Sequence, residues 1–110
     1  MINIVNRKTY RGESVYVGRP SALGNPFVIG RDGDRQTVVE KYRRWLWRQL
    51  QRGSGEVFEA IHRLAQQAKT DDLVLACWCL PEKCHAEIIR SAIEWINNQS
   101  QNKPSAVLRN

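Results

Sequence analysis

The stretch Leu73-Val74-Leu75-Ala76-Cys77-Trp78-Cys79-Leu80-Pro81-Glu82-Lys83-Cys84-His85 constrains the fold of this chain more than any other. It opens as an unbroken apolar run, the pattern of a central strand covered on both faces rather than of a half-exposed strand, which alternates. Pro81 removes a backbone donor and ends that strand near residue 79. The apolar spacing beyond it predicts a helix over residues 82–98, burying Ile88, Ile89, Ala92, Trp95 and Ile96. Strand end, tight turn and helix start thus fall together, an arrangement in which α/β proteins place ligands. The same stretch holds all three cysteines and one of the two histidines.

Upstream, Ile2-Asn3-Ile4-Val5-Asn6 suits a first strand, and Val15-Tyr16-Val17 a short hairpin partner for it. Residues 18–27, Gly-Arg-Pro-Ser-Ala-Leu-Gly-Asn-Pro-Phe, carry two glycines and two prolines and exclude a regular element. Phe27-Val28-Ile29 reads as a brief strand. Residues 35–52 show a helical stripe of Val38, Val39, Tyr42, Leu46 and Leu50, with Asp34, or Thr37 paired with Glu40, as the cap. A second helix is predicted over residues 56–69, with Val57, Ile61, Leu64, Ala65 and Ala68 on one face. This order predicts a small layered single α/β domain over residues 1–98, a short central sheet flanked by about three helices. Residues 99–110 form a polar tail.

With 110 residues, of which 42% are hydrophobic, the chain is long enough to fold around a core without disulfides. No apolar run approaches the roughly 20 residues of a membrane span, and the N-terminus lacks the layout of a signal peptide. The expected compartment is the cytoplasm, without membrane association. There cysteines are reduced thiols or metal ligands rather than structural bridges. The net charge of +6 fits an anionic partner, either a small molecule such as a nucleotide or a nucleic acid, and equally fits basic residues that coat the helices for solubility.

Cys77 and Cys79 lie two apart, so on a strand both thiols face one side and Trp78 the other. Cys84 and His85 fall at the next helix start, where unpaired N–H groups and the positive dipole end favour a thiolate. Cys84, His85 and Cys79 are therefore the candidate catalytic residues, with His85 as the acid–base partner of a thiol nucleophile. Cys77 also fits a small buried hydrophobe. Cys77, Cys79, Cys84 and His85 together have the right donor types for zinc. Their Cys-x-Cys-x4-Cys-His spacing departs from the usual Cys-x2-Cys knuckles, and ligation by adjacent residues on a helix is strained. Zinc is thus an alternative, and the cofactor is left open.

Residues 18–27 are placed to form the second wall of a pocket. Arg19 offers a fork for phosphate or carboxylate, and Gly24 and Asn25 offer backbone and amide hydrogen bonds. The helix over residues 35–52 interleaves Lys41, Arg43, Arg44 and Arg48 with Trp45 and Trp47, one look of a nucleic-acid surface.

Taken together, Gly18-Arg19, Leu23-Gly24-Asn25-Pro26-Phe27, Tyr42-Arg43-x-Trp45-Leu46 and Leu75-Ala76-Cys77-Trp78-Cys79-x-Pro81-x2-Cys84-His85 resemble a bacterial and phage family, domain of unknown function 4326. Its two signatures are Gly-Asn-Pro and Cys-Trp-Cys. The resemblance covers roughly residues 2 to 97. It implies that the two motif regions belong to one site, and it carries over Arg19, Gly24, Asn25, Pro26, Cys77, Cys79, Cys84 and His85. In this reading Arg19, Gly24, Asn25, Pro26 and Cys77 bind the ligand. The expected function is a pocket for a nucleotide-like or other anionic small molecule, extended to a cysteine-dependent enzyme. The alternatives are a nucleic-acid-binding module using Arg43, Arg44, Arg48 and Trp47, and a zinc-stabilised interaction domain.

Overall fold

The computed structural model describes residues 1–78 and 84–102. Strands β1 (Ile2–Asn6), β2 (Val15–Tyr16) and β3 (Leu73–Cys77) form a parallel sheet in the order β1-β3-β2. Helices α1 (Arg35–Gln51) and α2 (Glu56–Thr70) connect β2 to β3, and α3 (His85–Asn102) follows. The unbroken apolar run takes the central place expected of it. Its register sets Ile2 opposite Leu73 and Asn6 opposite Cys77 on one side, and Tyr16 opposite Ala76 on the other.

The hairpin expected between β1 and β2 does not form. β2 lies across β3 from β1 and runs parallel to it. A strand with polar residues at Asn3 and Asn6 suits an edge, whereas β3 can be buried between two neighbours. The strand expected at Phe27–Ile29 is also absent: Val28 N–H donates to the Asp32 carboxylate at 2.8 Å, and Asp32 N–H returns to Val28 O at 2.8 Å. These local bonds satisfy the backbone in a turn.

Helix α1 is capped by Asp34, whose carboxylate accepts the Thr37 N–H at 2.9 Å. The Thr37–Glu40 box is not used; Glu40 instead pairs with Arg43 and Arg44. Helix α3 starts at His85, later than expected, and continues to Asn102, beyond the expected end at residue 98. Ile93 is fully buried in the core, while Trp95, expected there, is 50% exposed and packs edge-on against Trp47, ring centroids 5.2 Å apart.

The core takes Leu73, Leu75 and Cys77 from one face of β3 and joins them to Tyr42 and Leu46 of α1, Ile61 of α2, and Ile89 and Ile93 of α3. On the other face Ala76 is buried and Val74 half-buried. Among the described residues no helix is long and apolar enough to cross a membrane.

Candidate functional site

Because all three strands are parallel, their carboxyl ends share one edge of the sheet, the edge at which open α/β sheets receive ligands. A cavity of about 540 Å3 opens there. Tyr16 and Trp78 line it from the ends of β2 and β3, and His85 lines it from the start of α3. Gly18, Arg19 and Asn25 line it from the loop, continuing into Phe27, Val28 and Ile29. Helix α1 closes it with Arg35, Val38 and Val39. The two motif regions therefore meet in one cleft.

The loop is held from several sides. Tyr16 Oη donates to Arg19 O at 2.7 Å, Ser21 N–H to Gly18 O at 2.8 Å, and Gly24 N–H to Ser21 O at 3.0 Å. A Cβ on Gly18 would collide with the Tyr16 hydroxyl and lie 2.6 Å from its Cζ, so glycine is what lets that ring lie along the backbone. Asn25 closes an Asx turn by accepting the Phe27 N–H at 2.9 Å, and its Nδ2 donates to Val38 O of α1 at 3.2 Å. The fully buried Tyr42 donates its hydroxyl to Leu23 O at 2.8 Å.

Both polar atoms of the Asn25 amide are thus engaged, Oδ1 within the loop and Nδ2 in fastening it to α1. Asn25 lines the cavity while shaping it. Gly24 is buried against the Arg19 backbone, and Pro26 is exposed with its carbonyl taken by Arg31 at 3.3 Å. Neither of these two lines the cavity.

His85 is the buried polar group at the cavity floor. Its Nε2 lies 2.7 Å from Val17 O, and a carbonyl can only accept, so Nε2 carries the proton. Burial holds the His85 pKa below its ordinary value and Arg19 acts in the same direction, against the Val17 hydrogen bond and Cys77. The ring is therefore neutral at neutral pH. Its bare Nδ1 lies 3.6 Å from Cys84 Sγ, positioned to accept the thiol proton. The same sulfur accepts the Ala86 N–H at 3.4 Å. The edge of the Tyr42 ring packs on the imidazole, centroids 5.0 Å apart.

Cys77 and Cys84 lie behind this surface. Both are buried and belong to the core, and neither lines the cavity. Cys84 communicates with the cavity through His85. We expect iodoacetamide to alkylate Cys84 in the native protein at least about 10-fold more slowly than in urea, because the reagent must reach a buried sulfur. Peptide mass spectrometry reads the rate at that site. Equal rates would place the thiol on an open surface.

Cys79 lies outside the described residues, and with it one member of the zinc alternative. Among the described residues no group of three or more His, Cys, Asp or Glu is arranged to hold a metal ion.

Several lining residues escaped the sequence reading. Trp78, expected inside the strand, lies just past its end at Cys77, and its place at the cavity has no signal in the sequence. Arg35 enters the sequence pattern only as the first residue of a helix. Phe27 and Tyr16 looked like strand residues. Arg19 makes no ion pair among the described residues, and no carboxylate lines the cavity there. On α1, Arg43 and Arg44 share Glu40 at 3.1 and 3.7 Å, and Trp47 is half-buried against Trp95. His62 is exposed and stacks on Phe58.

No curated protein and no solved structure matches this chain. The family described as Domain of unknown function (DUF4326) matches residues 2–95, and the chain belongs to that family.

Proposed function

We propose that this family member binds a small anionic molecule in the cleft between the Gly18–Ile29 segment and the start of α3. One observation carries the proposal: a cavity of about 540 Å3 is lined by Arg19 and Arg35, with no lining carboxylate among the described residues. That volume lies in the usual range for small-molecule sites, which runs from about 300 to 1,000 Å3. Guanidinium groups suit phosphate and carboxylate because their fork gives two parallel charge-assisted hydrogen bonds. Arg19 follows directly on a backbone held by Tyr16 and Gly24, so its Cα is fixed before the ligand arrives.

Isothermal titration with ribose 5-phosphate and adenosine monophosphate tests this. Arg19→Ala is expected to weaken binding about 10- to 100-fold, the range of a lost charge-assisted hydrogen bond. Added salt is expected to weaken the wild type more steeply than the variant. Absence of binding to either compound, or unchanged affinity in Arg19→Ala, sinks the proposal. A cysteine-dependent reaction in the same cleft further requires Cys84 Sγ to reach the ligand, and the alkylation rate at that residue reports such access.

A further inference from the structure

We infer that Trp78 is a stacking platform and that the ligand of this cleft is a nucleoside phosphate, its base on the indole and its phosphate toward Arg19. The inference rests on the anion-binding reading above and adds the aromatic half of the ligand.

Trp78 follows the last residue of β3 and lines the cavity while remaining 51% exposed. Its indole N–H donates to Tyr16 Oη at 3.0 Å, and Tyr16 Oη donates onward to Arg19 O at 2.7 Å. The polar atoms of both rings are therefore engaged within the protein. What this wall offers a ligand is π surface, with its ring angle fixed by the hydrogen-bond chain.

Arg7, which does not itself line the cavity, holds its guanidinium carbon 4.2 Å from the Tyr16 centroid and 5.9 Å from the Trp78 centroid. Arg7 N–H in turn donates to Cys77 O at 2.9 Å, which fixes the backbone from which that guanidinium reaches over the rings. Cation, phenol and indole thus form one braced unit across the ends of all three strands. Such a wall recognises flat rings by stacking and is tolerant of their hydrogen-bonding edges.

The same chain of hydrogen bonds ends on the backbone of Arg19, the residue whose guanidinium is offered to the anion. A ligand that joins a planar ring to a phosphate within one cavity satisfies both ends together. A sugar phosphate lacking a base uses only one of them.

The test titrates the full chain with adenosine monophosphate, uridine monophosphate and ribose 5-phosphate, and repeats it with Trp78→Ala and Trp78→Phe. Trp78 is half-exposed, so neither variant opens the core. Both nucleotides are expected to bind wild type more tightly than ribose 5-phosphate. Trp78→Ala should weaken both nucleotides about 5- to 100-fold, the loss of one base–aromatic stack, and leave ribose 5-phosphate within about twofold. Trp78→Phe should restore most of the difference. Ribose 5-phosphate binding as tightly as the nucleotides, or losing as much in Trp78→Ala, overturns the stacking inference and leaves the anion site standing. If none of the three compounds binds wild type, both readings fall.

Discussion

Replacing Gly24 with alanine lowers the melting temperature by about 10 °C, the result of about 2 kcal/mol of overpacking in a domain of this size. A Cβ at Gly24 would stand 2.8 Å from Arg19 N and 2.9 Å from Arg19 Cα. Those are backbone atoms, and no side-chain rotation relieves the contact. The loop cannot retreat on the other side either. Leu23 O holds the Tyr42 hydroxyl at 2.8 Å, and Asn25 holds Val38 O at 3.2 Å. The displacement must pass into Arg19, whose carbonyl anchors Tyr16 and through it Trp78. The variant should therefore lose ribose 5-phosphate and nucleotide binding together with stability.

Gly12→Ala is the control. There an added Cβ meets only the hydroxyl end of Tyr10, 2.6 Å away on a side chain 38% exposed, which can swing aside. Its effect should stay under about 0.5 kcal/mol. Thermal denaturation of the two variants decides the matter. A Gly24→Ala protein melting within about 2 °C of wild type would mean that the loop has slack its hydrogen bonds do not suggest.

How far the sequence foretold this arrangement depends on the range of the interaction. The run Leu73–Cys77 could be recognised as a central strand because burial on both faces leaves no room for alternation. The stripes of α1 and α2 were legible because a helix repeats its contacts every turn. The partner of Val15–Tyr16 was not: two β-prone residues carry no register, and whether they pair with Ile2–Asn6 or with Leu73–Cys77 is decided by where α1 and α2 return the chain. Trp95 and Ile93 lie two apart on α3, and the packing of α3 against α2 and α1 determines which one enters the core and which meets Trp47.

The site divides in the same way. Arg19, Asn25 and His85 announced themselves by residue type and converge in one cavity, whereas Gly24, singled out with them, does not line it. That Asn25 fastens the loop to Val38, or that Arg35 and Phe27 line the opposite wall, follows from the docking of α1. No local pattern encodes it. Cys84 was chosen for its place at a helix start, which is correct, but its burial behind His85 is a property of the assembled core.

His85 should also make stability depend on pH, with a sign that the geometry fixes. Burial lowers its folded-state pKa beneath the unfolded value of about 6.5, so the unfolded chain takes up the proton first as the pH falls. The stabilisation is complete above the unfolded pKa and declines as the pH drops below about 6.5 toward the folded value, then levels off. Asp32 and Asp34 do not confuse this window. Arg31 beside Asp32 and the Thr37 hydrogen bonds to Asp34 hold both carboxyls below their ordinary range, so their contribution is lost only in acid, below about pH 4.

The melting temperature of the wild type should therefore fall between about pH 7.5 and 5.5, and His85→Gln should flatten that slope while keeping a donor for Val17 O. His85→Ala removes the donor and the ring together. It leaves the Val17 carbonyl without its 2.7 Å bond and opens a void beside Tyr42 and Cys84, a loss of about 3 kcal/mol and more than about 10 °C. Parallel pH profiles for wild type and His85→Gln would show that the imidazole titrates alike in the folded and unfolded chain. A His85→Ala protein as stable as wild type would remove His85 as the buried link between loop, helix start and thiol.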